Sequence, residues 1–203
     1  MYKNIVDKYI KEVQSGKLIA CEFVKLAITR HLADLERTDI YFDEDAANHF
    51  LKFSSYCKYT KGQLAKEKRR IELTPQQVFR YWCLFGWKRS NGSRRYRRVY
   101  FEVARKNGKS EEAAIVSLYL TIFDKEEGAE VYCAATTMGQ ARMVHDAAMV
   151  MARKLKNDNA KIDGLVNLTG GGRTGGNISV LETNSKCEPL PDNDDKLDGL
   201  NPH

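Results

Sequence analysis

Residues 98–157 alternate between two hydrophobic periods, and this alternation restricts the fold more than any other feature of the chain. "RVYFEVA" (98–104) is rich in β-forming residues and reads as a strand. "RKNG" is a tight connection, and "KSEEAAIVSLYLTIF" reads as a helix with Glu111 and Glu112 in its first turn. "EVYCAATT" reads as a second strand. "MGQARMVHDAAMVMARKLK" reads as a second helix, with Ala141, Val144, Ala148, Met151 and Leu155 along one side and His145 as a structural residue. Strand, loop, helix, strand, helix is the βαβ alternation of a parallel α/β sheet.

The first connection carries the motif that matters. "VARKNGKS" (103–110) ends Gly-Lys-Ser, as a phosphate-binding P-loop does, but Val103 stands where the pattern G-x-x-x-x-G-K-[ST] places its first glycine. A lone Gly-Lys-Ser is as well explained by a basic turn. The flanking elements favour a nucleotide site, because a helix that opens directly after the loop aims its first N–H groups and its dipole at an anion. In that reading Gly108 permits close backbone approach, Lys109 reaches the β- and γ-phosphates, and Ser110 ligates Mg²⁺.

The first seventy residues read as a helical region. Ile5, Val6, Tyr9, Ile10 and Val13 recur at helical spacing, "CEFVKLAITRHLADLER" repeats the period, and "FDEDAANHFLKF" opens with acids before Ala46, Ala47, Phe50 and Leu51. His31 and His49 lack a His, Cys or acidic neighbour at ligand spacing, so packing or surface roles suit them better than metal binding. "KYTKGQLAKEKRRIEL" is a charged connector. "LTPQQVFRYWCLFGW" is then a well-signed helix: Thr74 caps it, Pro75 suits its first turn, Val78, Tyr81, Trp82 and Phe85 form its apolar side, and Gly86 ends it. Asn91-Gly92 signals a turn. "TGGGRTGGNISVLET" is a Gly-rich stretch followed by a strand; the loop around Arg173 suits a flexible connector better than a nucleic-acid contact.

Charge narrows the partners. From Lys58 to Lys109 there are 16 Lys/Arg against 3 Asp/Glu, a local +13 in a chain of net charge +6, which leaves −7 for the rest. Positive charge focused in this way suits a polyanion, whether nucleotide phosphates or nucleic acid, although a solvated basic face is the plain alternative. The five cysteines are dispersed and include no C-x-x-C pair, so reduced thiols are expected rather than a zinc site or disulfide framework. No apolar run approaches the length of a membrane span, and "MYKNIVDKYIKEVQSGK" lacks a signal-peptide core.

"FGWKRSNGSRRYRRVYFEVARKNGKS" resembles the ATPase front end of the bacteriophage terminase large subunit, whose loop reads as a basic pair, a small residue and Gly-Lys-Ser/Thr. Arg105, Lys106, Asn107, Gly108, Lys109 and Ser110 match that loop. "ELTPQQ" resembles the family's adenine-binding glutamine motif, "VYCAATTMGQAR" the strand and helix after its P-loop, and "LDGLNPH" the segment before its Walker B strand. The resemblance covers roughly residues 40 to 203.

The resemblance implies an α/β fold built on a partial P-loop (RecA-like, ASCE) parallel sheet. A helical region, residues 1–70, would precede the ATPase portion, residues 71–203. It implies ATP and Mg²⁺ as cofactors, Gln77 on the base, and Arg105 near the γ-phosphate beside Lys109 as catalytic residues. Gln77 also stands three residues after Thr74, as Gln140 does after Thr137, and Thr-x-x-Gln is equally a capping box. The implied function is ATP-driven packaging of viral DNA, in the host cell cytoplasm. The implied partners are double-stranded DNA, a small terminase subunit, a portal protein and further copies of the chain in a ring, with no membrane. Arg94, Arg95, Arg97 and Arg98, beside the Asn-Gly turn, are the expected DNA contacts. The family's Asp-Glu strand and nuclease domain would follow "DGLNP", so residues 1–203 are expected to be a fragment that lacks the hydrolytic carboxylates. Two rival readings are a helicase-like P-loop motor and a non-enzymatic basic DNA-binding module.

Overall fold

The computed structural model describes residues 2–124, 126–170 and 176–191. In chain order the elements are α1 (Tyr2–Gln14), α2 (Glu22–Asp34), β1 (Ile40–Phe42), α3 (Glu44–Ser54), α4 (Gly62–Lys66), α5 (Pro75–Gly86) and β2 (Trp87–Arg89). They continue with α6 (Lys109–Ile122), β3 (Glu130–Ala135), α7 (Met138–Asp158), α8 (Ala160–Leu165), β4 (Val166–Gly170), β5 (Gly176–Val180) and β6 (Ser185–Pro191). The loop around Arg173 and the "LDGLNPH" segment lie outside the described residues. The chain forms two compact units, one of residues 1–55 with 72–101 and the other of 56–71 with 102–203. A single cut at residue 70 does not reproduce this division, because α5 belongs with the N-terminal helices and the charged connector belongs with the later residues.

The first unit is built on α5. Thr74 and Gln77 form a reciprocal capping box at its start, and Val78, Tyr81, Trp82 and Phe85 are buried as the period predicts. α1 packs on α5 through Val6, Tyr9, Ile10 and Val13, all buried, and Tyr9 lies 5.6 Å from Phe79 between ring centroids. α3 starts at Asp43, whose carboxylate accepts from Ala46 N at 2.9 Å. It buries Ala47, Phe50 and Leu51, while Ala46 is only half-buried; Phe50 stacks on Phe85 at 3.9 Å. β1 pairs antiparallel with β2, bringing Phe42 opposite Trp87. His31, on α2, is enclosed by Phe42, Phe79 and Trp87, and accepts the Trp87 indole N–H at Nδ1 over 3.1 Å. Burial pulls its pKa below the ordinary value. The packing role expected for His31 is the observed one.

In the second unit a four-stranded sheet, ordered β3-β6-β5-β4, carries α6 and α7. β3 and β6 are parallel, with Val131 opposite Cys187, whereas β6–β5 and β5–β4 are antiparallel. The inner face holds Val131, Cys133, Val166, Ile178, Val180 and Cys187, all buried. His145 of α7 is buried against this sheet, where Nε2–H donates to Cys187 O at 3.0 Å, and burial lowers its pKa too. The α/β class is therefore as expected, but the sheet is mixed rather than all-parallel.

The expected strand at 98–104 is corrected: these residues belong to neither sheet. β-propensity expresses itself only where a partner edge and a packed face exist. Here Val99 and Tyr100 are 55% and 88% exposed, and the chain passes from one compact unit to the other at 101–102.

The connector is not a plain tether. Lys58 and Arg70 form an antiparallel bridge, Tyr59 N donates to Arg69 O at 3.1 Å and Ile71 N to Cys57 O at 2.8 Å, with α4 at the tip. Lys58 pairs with Asp158 at 2.5 Å and Lys154 Nζ donates to Tyr59 O at 2.6 Å, which fastens the excursion to α7.

Candidate phosphate-binding loop

Residues 104–110 form an exposed turn that leads into α6. Its curvature comes from two left-handed residues, Lys106 at φ 67° and Gly108 at φ 75°. Val103 is not among the positive-φ residues, so a β-branched side chain is accommodated where the common pattern has glycine. Asn107 Nδ2 donates to Ala104 O at 3.1 Å and to Arg105 O at 3.4 Å, closing the turn from inside. Lys109 folds across the loop, its ammonium donating to Val103 O at 2.8 Å.

Gly108 is the N-cap of α6 and supplies no side chain to the helix's first amides. Those N–H groups have no partner one turn back in the helix, so the end is electropositive and suits an anion. Arg105, Lys106 and Lys109 add three cations on the same exposed turn, and the Ser110 hydroxyl lies in the first turn of the helix. The residues present therefore fit a polyphosphate, and Ser110 fits a hard cation held beside it. No cluster of three or more His, Cys, Asp or Glu suitable for a metal occurs among the described residues.

A hydrogen-bonded clamp fixes α6 from the side. Glu111 Oε1 accepts from Thr60 N at 3.1 Å and from Thr60 Oγ1 at 2.6 Å, joining the connector to the residue after Ser110. No local pattern announces this pair, because its members lie 51 residues apart. Glu112 is buried, and its backbone N–H donates to Gly108 O at 3.0 Å.

The other expected site residues are engaged by near neighbours to different degrees. Gln77 lies in the first unit, and its Oε1 accepts from Thr74 N at 2.8 Å, as the capping reading requires. Gln140 accepts from Thr136 Oγ1 at 2.8 Å, beside the Thr137 cap of α7. The arginine cluster divides. Arg95 turns inward to buried Asp34 and lies over the Trp87 ring at 5.6 Å, and Arg94 is half-buried opposite Lys88. Arg97 and Arg98 are exposed. Asn91 and Gly92 (φ 81°) form the expected turn, with Gly92 N donating to Arg89 O at 2.8 Å.

Comparison with known proteins supplies the family. The crystal structure of the HK97 bacteriophage large terminase superposes with a TM-score of 0.56 at 21% identity, over 77% of this chain and 29% of that one. The chain thus matches less than a third of that terminase's length, and the likeness shows the shared fold. No curated protein matches the chain. The model of the terminase large subunit ATPase domain matches residues 75–203, well over half of the sequence and including the whole loop. The chain belongs to the terminase large subunit family, through its ATPase domain.

Proposed function

We propose that residues 104–110 hold the triphosphate of ATP, and that the chain is the nucleotide-binding part of a motor that drives viral DNA into a procapsid. The observation that carries this reading is the turn itself, in which Gly108 in the left-handed region delivers an uncapped helix start beneath Lys109. Within the reading, Lys109 leaves the Val103 carbonyl for the β- and γ-phosphate oxygens, and Arg105 meets the γ-phosphate. The α6 amides neutralise charge without moving, so positioning and electrostatics supply the catalysis, as is general for phosphoryl transfer by in-line attack of water. Mg²⁺, with Ser110 as a protein ligand, would add charge neutralisation between the phosphates. Duplex DNA, a small terminase subunit, a portal and neighbouring copies in a ring are the partners this function requires, in the host cell cytoplasm. Arg97 and Arg98, the two exposed members of the arginine cluster, are the ones this reading gives to DNA.

Titration of ATP into the protein and into Lys109→Ala tests the assignment. Loss of one charge-assisted phosphate contact should weaken binding about 10- to 100-fold with an unchanged circular dichroism spectrum. Equal affinity in a folded variant would reject the loop as the phosphate site.

A further inference from the structure

We infer that the tip of the connector, residues 61–70, is a docking surface for the phosphate backbone of duplex DNA. The inference rests on the motor reading above and adds to it a DNA contact in a segment outside the Arg94–Arg98 cluster. The tip carries Lys61, Lys66, Lys68, Arg69 and Arg70 against one acid, Glu67. Glu67 accepts from the Gln63 amide at 2.8 Å, and no salt bridge among the described residues engages Lys61, Lys66 or Lys68. All three lysines are exposed. By contrast, Lys58 is paired with Asp158, Arg95 with Asp34, and Arg70 lies over the Tyr56 ring at 5.5 Å. The structure thus sorts the basic quarter of the chain into charges that hold the fold and charges left facing solvent, and the tip lysines are of the second kind.

Three observations separate this tip from an ordinary solvated run. It is anchored, because the Lys58–Arg70 bridge, the Lys58–Asp158 pair and the Thr60–Glu111 clamp fix both of its ends. Its backbone is specifically shaped, with Lys68 at φ 55° and Arg69 N donating to Leu64 O at 2.9 Å. It contains no aromatic residue between 61 and 70, so it offers cations without a base-stacking platform. That combination suits the regular phosphate array of a duplex rather than unpaired bases. The Thr60–Glu111 clamp also places the root of this surface one residue from Ser110, so a load on the tip reaches the start of α6 directly.

The test is titration of a fluorescently labelled mixed-sequence duplex at salt concentrations from about 50 to 200 mM. Wild-type protein is compared with the triple variant Lys61→Gln, Lys66→Gln, Lys68→Gln and with the double variant Arg97→Gln, Arg98→Gln. The triple variant should make the slope of log K against log salt shallower by about 2–3, at roughly 0.9 per lost phosphate contact. ATP affinity, measured in parallel, should be unchanged. A wild-type slope in the folded triple variant, with duplex binding otherwise intact, would overturn the tip assignment and leave the motor reading standing. Absence of duplex binding by the wild-type protein at about 50 mM salt would overturn both.

Discussion

Val103 shows how a single position resolves an apparently broken motif. The loop still needs a left-handed turn, but supplies it at Lys106 and Gly108. A non-glycine residue in that region costs about 1–2 kcal/mol, so Lys106 is a strained cation in a turn closed by the Asn107 side chain. The residues of this loop are legible in the sequence because Gly-Lys-Ser and its basic neighbours are contiguous. The strain at Lys106 is not, because backbone angles leave no mark in residue order. His31 is a second case in which one side chain has a measurable consequence. The Trp87 indole needs a neutral acceptor at Nδ1, and burial lowers the pKa of the ring. The unfolded chain binds this proton near pH 6.5 and the folded chain only at lower pH. In that window the unfolded state holds more protons, so stability falls as pH drops from about 6.5 to the folded value and is flat below it. Trp82 and Trp87 are the two tryptophans of the chain, and both lie in the first unit, so urea unfolding followed by tryptophan fluorescence reports on that unit. The midpoint should be lower at pH 5 than at pH 7, and the difference should shrink in His31→Gln. An undiminished difference in that variant would place the sensitivity elsewhere.

At the scale of elements, the longer helices and the strands β3 and β5 were legible, whereas α4, α8, β1, β2, β4 and β6 were not. Thr74-Pro75 at the start of α5, the acids that open α3 and the buried stripe of α1 follow local rules, so a cap, first-turn charge and apolar period located them. β1 and β2 are three residues each, too short for an alternation to register. β6 carries Pro189 and Pro191, which argue against a strand; both stand in the β3 ladder opposite Cys133 and Ala135, but β5 pairs only with Ser185–Cys187, so among the described residues the other edge of β6 is unpaired there and tolerates a missing N–H. Residues 98–104 err in the opposite sense, with strong β-formers in neither sheet. The junction of α5 with β1 makes a sharp prediction. A Cβ on Gly86 would lie 2.3 Å from the Phe42 ring, which Trp82, Trp87 and His31 hold in place, and Gly86 O accepts from Asp43 N at 2.8 Å. Gly→Ala ordinarily stabilises a helix. Gly86→Ala should instead destabilise the first unit by about 1–3 kcal/mol through overpacking, read as a lower urea midpoint by tryptophan fluorescence. An equal or higher midpoint would mean that the Phe42 ring yields without cost.

Over the whole molecule, contacts rather than chain order define the units. α5 completes the helical unit, while the connector attaches to the sheet unit through Lys58–Asp158 and Thr60–Glu111. Such long-range pairings leave no trace in composition or period, and a boundary drawn along the sequence cannot follow them. Family membership was legible because it rests on ordered short motifs, and the match over residues 75–203 includes the loop on which everything else depends. If this loop holds the nucleotide triphosphate, as we propose, amide hydrogen exchange on a peptide covering 104–112 will differ with and without ATP and Mg²⁺. Slowed exchange in that peptide, lost in Lys109→Ala, is the predicted result. ATP binding with protection confined to other peptides would contradict it.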